Sequence, residues 1–308
     1  MTRLAWMSLA LLALIPFQSA AQQSTTSAVM LRFTREKDRH QIYQDATLTL
    51  DNTARRLVVT SKERPQSVSY DAVRKIIIEP DSGAKGPGFG SILAGFAVNA
   101  KLFRGQIKAA QLVYVEHAAS DGTTAAFVLS VPEQAAEETI ARIKSAFGDR
   151  VVVPVFSEAW EQLEEKQWKS VKKYDVRAVA GKPSLPEMRS DKGLIVVACP
   201  VSGGFEAIRT DKPYYHLSAR ILVNNDVVAV NGPGTYTAFY LDPGEHLLVS
   251  YLNDTTGLRL KVEGGQEYHL IQTVYIKGGN KSFLTRHSKD LVMHEIGSLM
   301  KADWKVKD

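Results

Sequence analysis

The chain has 308 residues, 44% of them apolar and 23% charged, with a formal net charge of +5. These are the proportions of an ordinary globular protein and exclude a disordered, fibrous or many-span membrane chain. Positive and negative residues are interspersed, so the mild basic balance does not point to nucleic acid.

In chain order, the first element is an export signal. Arg3 gives a positive start, residues 4–17 form an apolar core too short to span a bilayer, and Ser19-Ala20-Ala21 supply small residues for cleavage before Gln22. Residues 1–21 therefore read as a signal peptide, and removing them from 308 leaves 287. The expected product is periplasmic or secreted and does not span the membrane. No cysteine stands at the cut, so no lipid anchor is expected. The single cysteine, Cys199, lies in the apolar run Leu194-Ile195-Val196-Val197-Ala198-Cys199 and reads as a buried small hydrophobe. With one cysteine there is no internal disulfide, and burial alone must hold the fold.

Residues 22–153 read as a first domain of short strands closed by one helix. Thr47-Leu48-Thr49-Leu50 and Leu57-Val58-Val59-Thr60 flank the turn cluster Asp51-Asn52-Thr53-Ala54, which predicts a hairpin. Val68-Ser69-Tyr70 predicts a third strand, and Asp71-Ala72-Val73 a tight turn before residues 74–79. Residues 111–115 and 125–129 predict another hairpin across Ser120-Asp121-Gly122. Pro132 opens a helix and Gly148 ends it, with Ala136, Ile140, Ile143 and Phe147 on one apolar face.

Residues 154–192 read as a helix and a linker. The spacing of Trp160, Leu163, Gln167 and Val171 predicts a helix over 157–174, acidic early and basic late. Gly181, Pro183 and Pro186 break all periodicity in residues 178–192, which predicts a linker with few contacts across it; the chain divides at about residue 186. From 193 to 308 the pattern is almost entirely strand and turn. Strands are expected over 194–199, 219–223, 227–230, 236–241, 246–252, 258–262, 268–276 and 283–287, with turns such as Asn224-Asn225-Asp226 between them. Residues 288–301 close the chain as a short helix or a strand plus a helix. The fold class expected is mainly β with a few helices.

Two resemblances sharpen this outline. Val68-Ser69-Tyr70-Asp71-Ala72-Val73-Arg74-Lys75-Ile76, followed by a loop, a hairpin and one amphipathic helix, resembles bacterial pleckstrin-homology-like domains of the GRAM type over about residues 45–150. That family binds lipids or peptides, and the resemblance implies a scaffold and no reaction. Residues 221–230, then Gly234-Thr235-Tyr236 through Pro243-Gly244-Glu245-His246, then Gly265-Gln266-Glu267-Tyr268, are similar to an uncharacterised family of exported bacterial β-sandwich domains. This second resemblance implies location and fold more than activity.

No motif of known chemistry is present, so no catalytic, cofactor-binding or metal-ligating residues are assigned. The glycine cluster at residues 83–91 lacks the Lys-Ser/Thr ending of a phosphate loop. It leads into Phe89, Ile92, Leu93 and Phe96, followed by Lys101 and Arg104. An apolar stretch with a cationic exit suits a loop that contacts a membrane surface or a partner's groove; the plainer reading is a buried insertion or core helix. Seven histidines show no His-x-x-x-His spacing, although His246 and His269 could approach each other in a sandwich. No serine has a Gly-x-Ser-x-Gly setting. The tyrosines of the second domain, among them Tyr236, Tyr240, Tyr251 and Tyr268, suit cross-strand packing, with a glycan- or peptide-binding aromatic face as the functional alternative.

The function expected from sequence is a non-catalytic binding or assembly module at the bacterial envelope, with an envelope protein, a glycan or a lipid surface as partner. The second reading is an envelope enzyme acting on glycan or peptide. An enzyme should present a cleft on which titratable groups converge, and a binder an exposed apolar or aromatic patch.

Overall fold

The computed structural model describes residues 25–34, 41–80, 110–156, 160–163, 174–179, 181–200, 218–252, 255–275 and 281–306. Within them the chain is mainly β, with three sheets and two α-helices.

The first sheet has eight strands: β1 (Thr25–Thr34), β2 (Gln41–Asp51), β3 (Arg56–Ser61), β4 (Gln66–Ser69), β5 (Val73–Pro80), β6 (Ala110–Ala118), β7 (Thr124–Pro132) and β8 (Val151–Val152). Their order is β4-β3-β2-β1-β7-β6-β5-β8, antiparallel except where β8 joins β5 in parallel. The expected hairpins form as read. Asp51 Oδ1 accepts from the Ala54 N–H in the β2–β3 turn, and the predicted tight turn is a single 3-10 turn at Tyr70–Ala72 capped by the Ser69 hydroxyl. Helix α1 (Glu133–Phe147) follows β7 directly and stops at Gly148, whose φ of 53° is cheap only for glycine. Ala136, Ile143 and Phe147 bury against Leu31, Leu48, Val59, Ile76, Val113 and Leu129 of the sheet, as the helical spacing requires.

The second sheet runs β10 (Tyr174–Val179), β19 (Met300–Val306), β14 (Thr235–Leu241), β11 (Gly193–Cys199), β17 (Glu267–Tyr275) and β18 (Lys281–Arg286) in space. The third runs β13 (Asp226–Asn231), β12 (Ala219–Val223), β15 (Gly244–Tyr251), β16 (Thr255–Val262) and β9 (Trp160–Gln162). Ile195 and Val197 of β11 meet Ile221, Leu248, Leu258 and Leu260 in the core these two sheets share. Asn224 and Asn225, at φ 52° and 70°, supply the left-handed pair that a two-residue hairpin needs between β12 and β13.

Two expectations are corrected. Trp160–Gln162 is a strand that extends the third sheet beside β16, and Tyr174 begins another strand, so neither end supports the predicted helix over 157–174. Most of its interior lies outside the described residues. Pairing with an open sheet edge overrides the helical spacing of Trp160 and Leu163 there.

The predicted linker is the second correction. Ala178 and Val179 belong to β10, and residues 181–192 form a strap bound to the second sheet. The Ser184 N–H donates to Tyr236 Oη at 3.0 Å, the Tyr240 hydroxyl donates to the Glu187 carbonyl, and the Gly265 N–H donates to the Lys192 carbonyl at 3.0 Å. A Cβ at Gly264 would stand 2.5 Å from the Ser190 carbonyl oxygen, so only glycine lets the strap lie this close.

The halves also share a core. Ile77, Leu112, Tyr114 and Val128 on the outward face of the first sheet join Leu194, Val196 and Ala198 in one apolar cluster. Helix α2 (Lys289–Ser298) adds Leu291, Val292 and Ile296 to it.

Candidate functional site

The site is built where β17 begins and β18 ends. These strands are antiparallel, and the His287 N–H donates to the His269 carbonyl at 2.9 Å just beyond the last ladder pair. Glu267 and His269 are two residues apart on β17 and so share one face. Arg286 ends β18, and Ser288 caps α2 by accepting from the Leu291 N–H. Phe156, just past β8, and Met188, on the strap, add apolar walls. The space between them is an open cleft of about 430 Å³.

Beneath it lies a buried polar relay. Glu79, at the end of β5 and 1% exposed, accepts from His287 Nδ1 at 2.6 Å and from the Ser288 N–H at 3.0 Å. A carboxylate only accepts, so Nδ1 carries the ring proton toward Glu79. His287 Nε2 shares a hydrogen bond of 2.8 Å with Thr285 Oγ1, which also reaches the Ile271 carbonyl at 3.4 Å. Both nitrogens of this buried imidazole are therefore occupied, and Thr285 is buried as well.

The cleft surface is different. Lys289 Nζ donates to Glu267 Oε2 at 2.5 Å. His269 Nε2 stands 3.4 Å from the same oxygen, an electrostatic contact without the alignment of a hydrogen bond, and that buried nitrogen has no hydrogen-bond partner. Burial pushes the His269 pKa below its usual value, against a smaller opposing pull from Glu267, so the ring is neutral at pH 7. The Arg286 guanidinium lies over the rings of Phe156 (5.5 Å) and Tyr268 (5.2 Å).

Phe89, Ile92, Leu93 and Phe96, the residues singled out from sequence as a contact loop, lie outside the described residues, as does the glycine cluster before them. Cys199 is fully buried, and burial pushes its thiol pKa up, so it packs and does not react. His246 and His269 stand in different sheets; His246 Nε2 bonds the Asp242 carbonyl at 2.8 Å and closes its own turn. Among the described residues, no three His, Cys, Asp or Glu side chains gather as a metal site would require. Tyr236, Tyr240 and Tyr268 spend their hydroxyls on backbone groups, which suits packing.

Sequence reasoning missed Glu79, Glu267, Arg286 and Lys289. One signal was available for Glu79: it directly follows Ile76-Ile77-Ile78, and a continuous apolar run in a strand means burial on both faces. A carboxylate at the end of such a run needs a partner. No protein-family profile matches this chain, and no curated protein is significantly similar to it.

Proposed function

We propose that this chain is a non-catalytic binding module of the bacterial envelope, exported by residues 1–21, with its ligand site in the cleft between β17, β18, α2 and the strap. The pleckstrin-homology-like reading of the first half is supported by an antiparallel sheet that ends in one closing helix. The β-sandwich reading of the second half is supported by two sheets that share one core.

The observation that carries the binding reading is how the titratable groups are occupied. Glu267 is held by Lys289, and His287 by Glu79 and Thr285. A proton relay needs a base that faces the substrate, and these groups are already committed to one another. A second reading, an envelope hydrolase, has one feature in its favour. Neutral His269 sits 3.4 Å from a carboxylate beside the cleft, which is the convergence expected of an enzyme.

The test incubates the chain from Gln22 onward with envelope extract from the native host and analyses what it retains. A component that co-purifies and is recovered chemically unchanged supports the binding reading. Conversion of that component, lost in His269→Gln, overturns it in favour of the hydrolase. Retention of nothing overturns both.

A further inference from the structure

Away from the cleft, we propose that Arg220 anchors a second site, walled by Tyr174 and Tyr251, that binds a small oxyanion on the outer face of the third sheet. Three observations lead there.

The first is a buried cation without a counter-charge. On β12, Ile221 and Val223 turn into the core that the second and third sheets share, and Arg220 turns to the opposite face. Arg220 is only 8% exposed. Among the described residues, no carboxylate pairs with it: burial lowers its pKa, and the groups that pull it back are Tyr251 and Tyr174 alone. A guanidinium carries five N–H donors, and a charge left buried and unpaired is costly.

The second is which part of the cation stays within reach. The rings of Tyr174 and Tyr251 lie 5.9 and 5.3 Å from Cζ. Stacking offsets part of the charge but leaves the N–H edge unused. Of the three nitrogens, Nε is both enclosed and without a hydrogen bond, whereas Nη1 and Nη2 are not enclosed. The small exposure that Arg220 keeps therefore includes its terminal pair, the fork that grips two oxygens of one oxyanion.

The third is how the walls are held. Tyr251 stands opposite Arg220 in the ladder between β12 and β15. The Ser218 hydroxyl donates to the Tyr174 carbonyl at 3.1 Å and ties the start of β10 to the start of β12. Trp304 meets Tyr174 edge-on at 5.5 Å. The fork is thus fixed before a ligand arrives, which lowers the cost of binding. The two tyrosine hydroxyls lie within electrostatic reach of the guanidinium and add O–H donors.

One unpaired positive charge is balanced by an oxyanion of single negative charge. A carboxylate and a phosphodiester both meet that requirement. Titration calorimetry on the full chain tests this with acetate and dimethyl phosphate, against chloride at the same ionic strength. At least one oxyanion should bind saturably, and chloride should not compete at equal concentration. Tighter binding of acetate assigns a carboxylate group, and tighter binding of dimethyl phosphate a phosphodiester.

Arg220→Met should abolish binding. Arg220→Lys keeps the charge but not the fork, and should weaken binding about tenfold or more. Where Arg220→Met does not fold, Arg220→Lys decides: an unchanged affinity overturns the proposal. Binding that survives Arg220→Met also overturns it, because the anion then sits elsewhere. A parent chain that binds neither oxyanion saturably overturns it whatever the variants do. The cleft shares no residue with this site, so the binding module stands or falls separately on the envelope experiment.

Discussion

The two faces of the first sheet are made by the same strands and solve different problems. On β5, Ile76 and Ile78 point inward to the core under α1, while Ile77 and Glu79 point outward to the second half. On β1, Val29 and Leu31 point inward, and Arg32 meets Glu295 of α2 in a buried ion pair. The inner face is mostly apolar and buries no charge in its core cluster, and the outer face is apolar with a few buried charges. A purely apolar outer face would dock in more than one register. Arg32 meets Glu295, and Glu79 meets His287 and the Ser288 N–H, so buried charge favours one way for the halves to meet. The comparison teaches that the interface is specified by charge and filled by hydrophobes, whereas the inner core is specified by shape alone.

The largest expected effect breaks the outer face. Glu295→Leu leaves Arg32 buried at 5% side-chain exposure without its carboxylate, at a cost of about 3–5 kcal/mol. Adding Arg32→Met should recover most of that loss, because two apolar groups need no partners. Ile143→Ala, on the inner face, should cost about 2–5 kcal/mol. Urea unfolding of the four variants around Arg32 and Glu295 gives the cycle. If the double variant is as unstable as the sum of the single ones, the outer face is not charge-specified in the way described.

Much of the inner face was legible in the sequence. The spacing of Ala136, Ile143 and Phe147 and the Asp51 turn are local signals, as is the Asn224-Asn225 hairpin of the third sheet, and each forms as read. The outer face was not legible. Its contacts join residues more than 200 positions apart, such as Glu79 with His287, and no local period encodes them. The strap was misread as a linker for the same reason. Gly181, Pro183 and Pro186 break local periodicity, but what holds the segment is Tyr236 and Tyr240 from β14 and the Gly264-Gly265 turn before β17. The cleft combines Glu267 and His269, two residues apart on one strand, with Phe156 and Met188 brought in by tertiary structure. Only the first pair had a signal, its two-residue spacing.

A pH scan sharpens the comparison, because the outer face, unlike the inner core, encloses a histidine. Burial and the Arg32 charge lower His294 to about 4, edge-on to Tyr114 at 5.5 Å. In the unfolded chain the same ring titrates near ~6.5. Between these values the unfolded state binds a proton that the folded state refuses, so stability falls as pH drops from 6.5 toward 4 and levels off below. The expected loss is on the order of 3 kcal/mol. His269 is shifted in the same direction and adds slope of the same sign. His294→Leu should flatten the difference between pH 6.5 and 4 relative to the parent. An unchanged slope would show that His294 is not held neutral in the folded state.

The smallest expected effect comes from the third charged contact across the interface, Lys75 with Asp290. It joins β5 to α2, just past the His287-Ser288 segment that holds Glu79, but its side chains are 40% and 35% exposed. Water already solvates both groups, so pairing them gains little Coulomb energy and costs the freedom of a long lysine side chain. Lys75→Gln should therefore change stability by about 0–1 kcal/mol. At 1 M salt the screening length falls to about 3 Å, and the effect should vanish. The coupling between Arg32 and Glu295 should be unchanged in the same salt, because no ions reach it. If the Lys75 pair proved as strong and as salt-resistant as the buried one, exposure would not separate the two kinds of contact, and the register of the halves would depend on every charge at the interface.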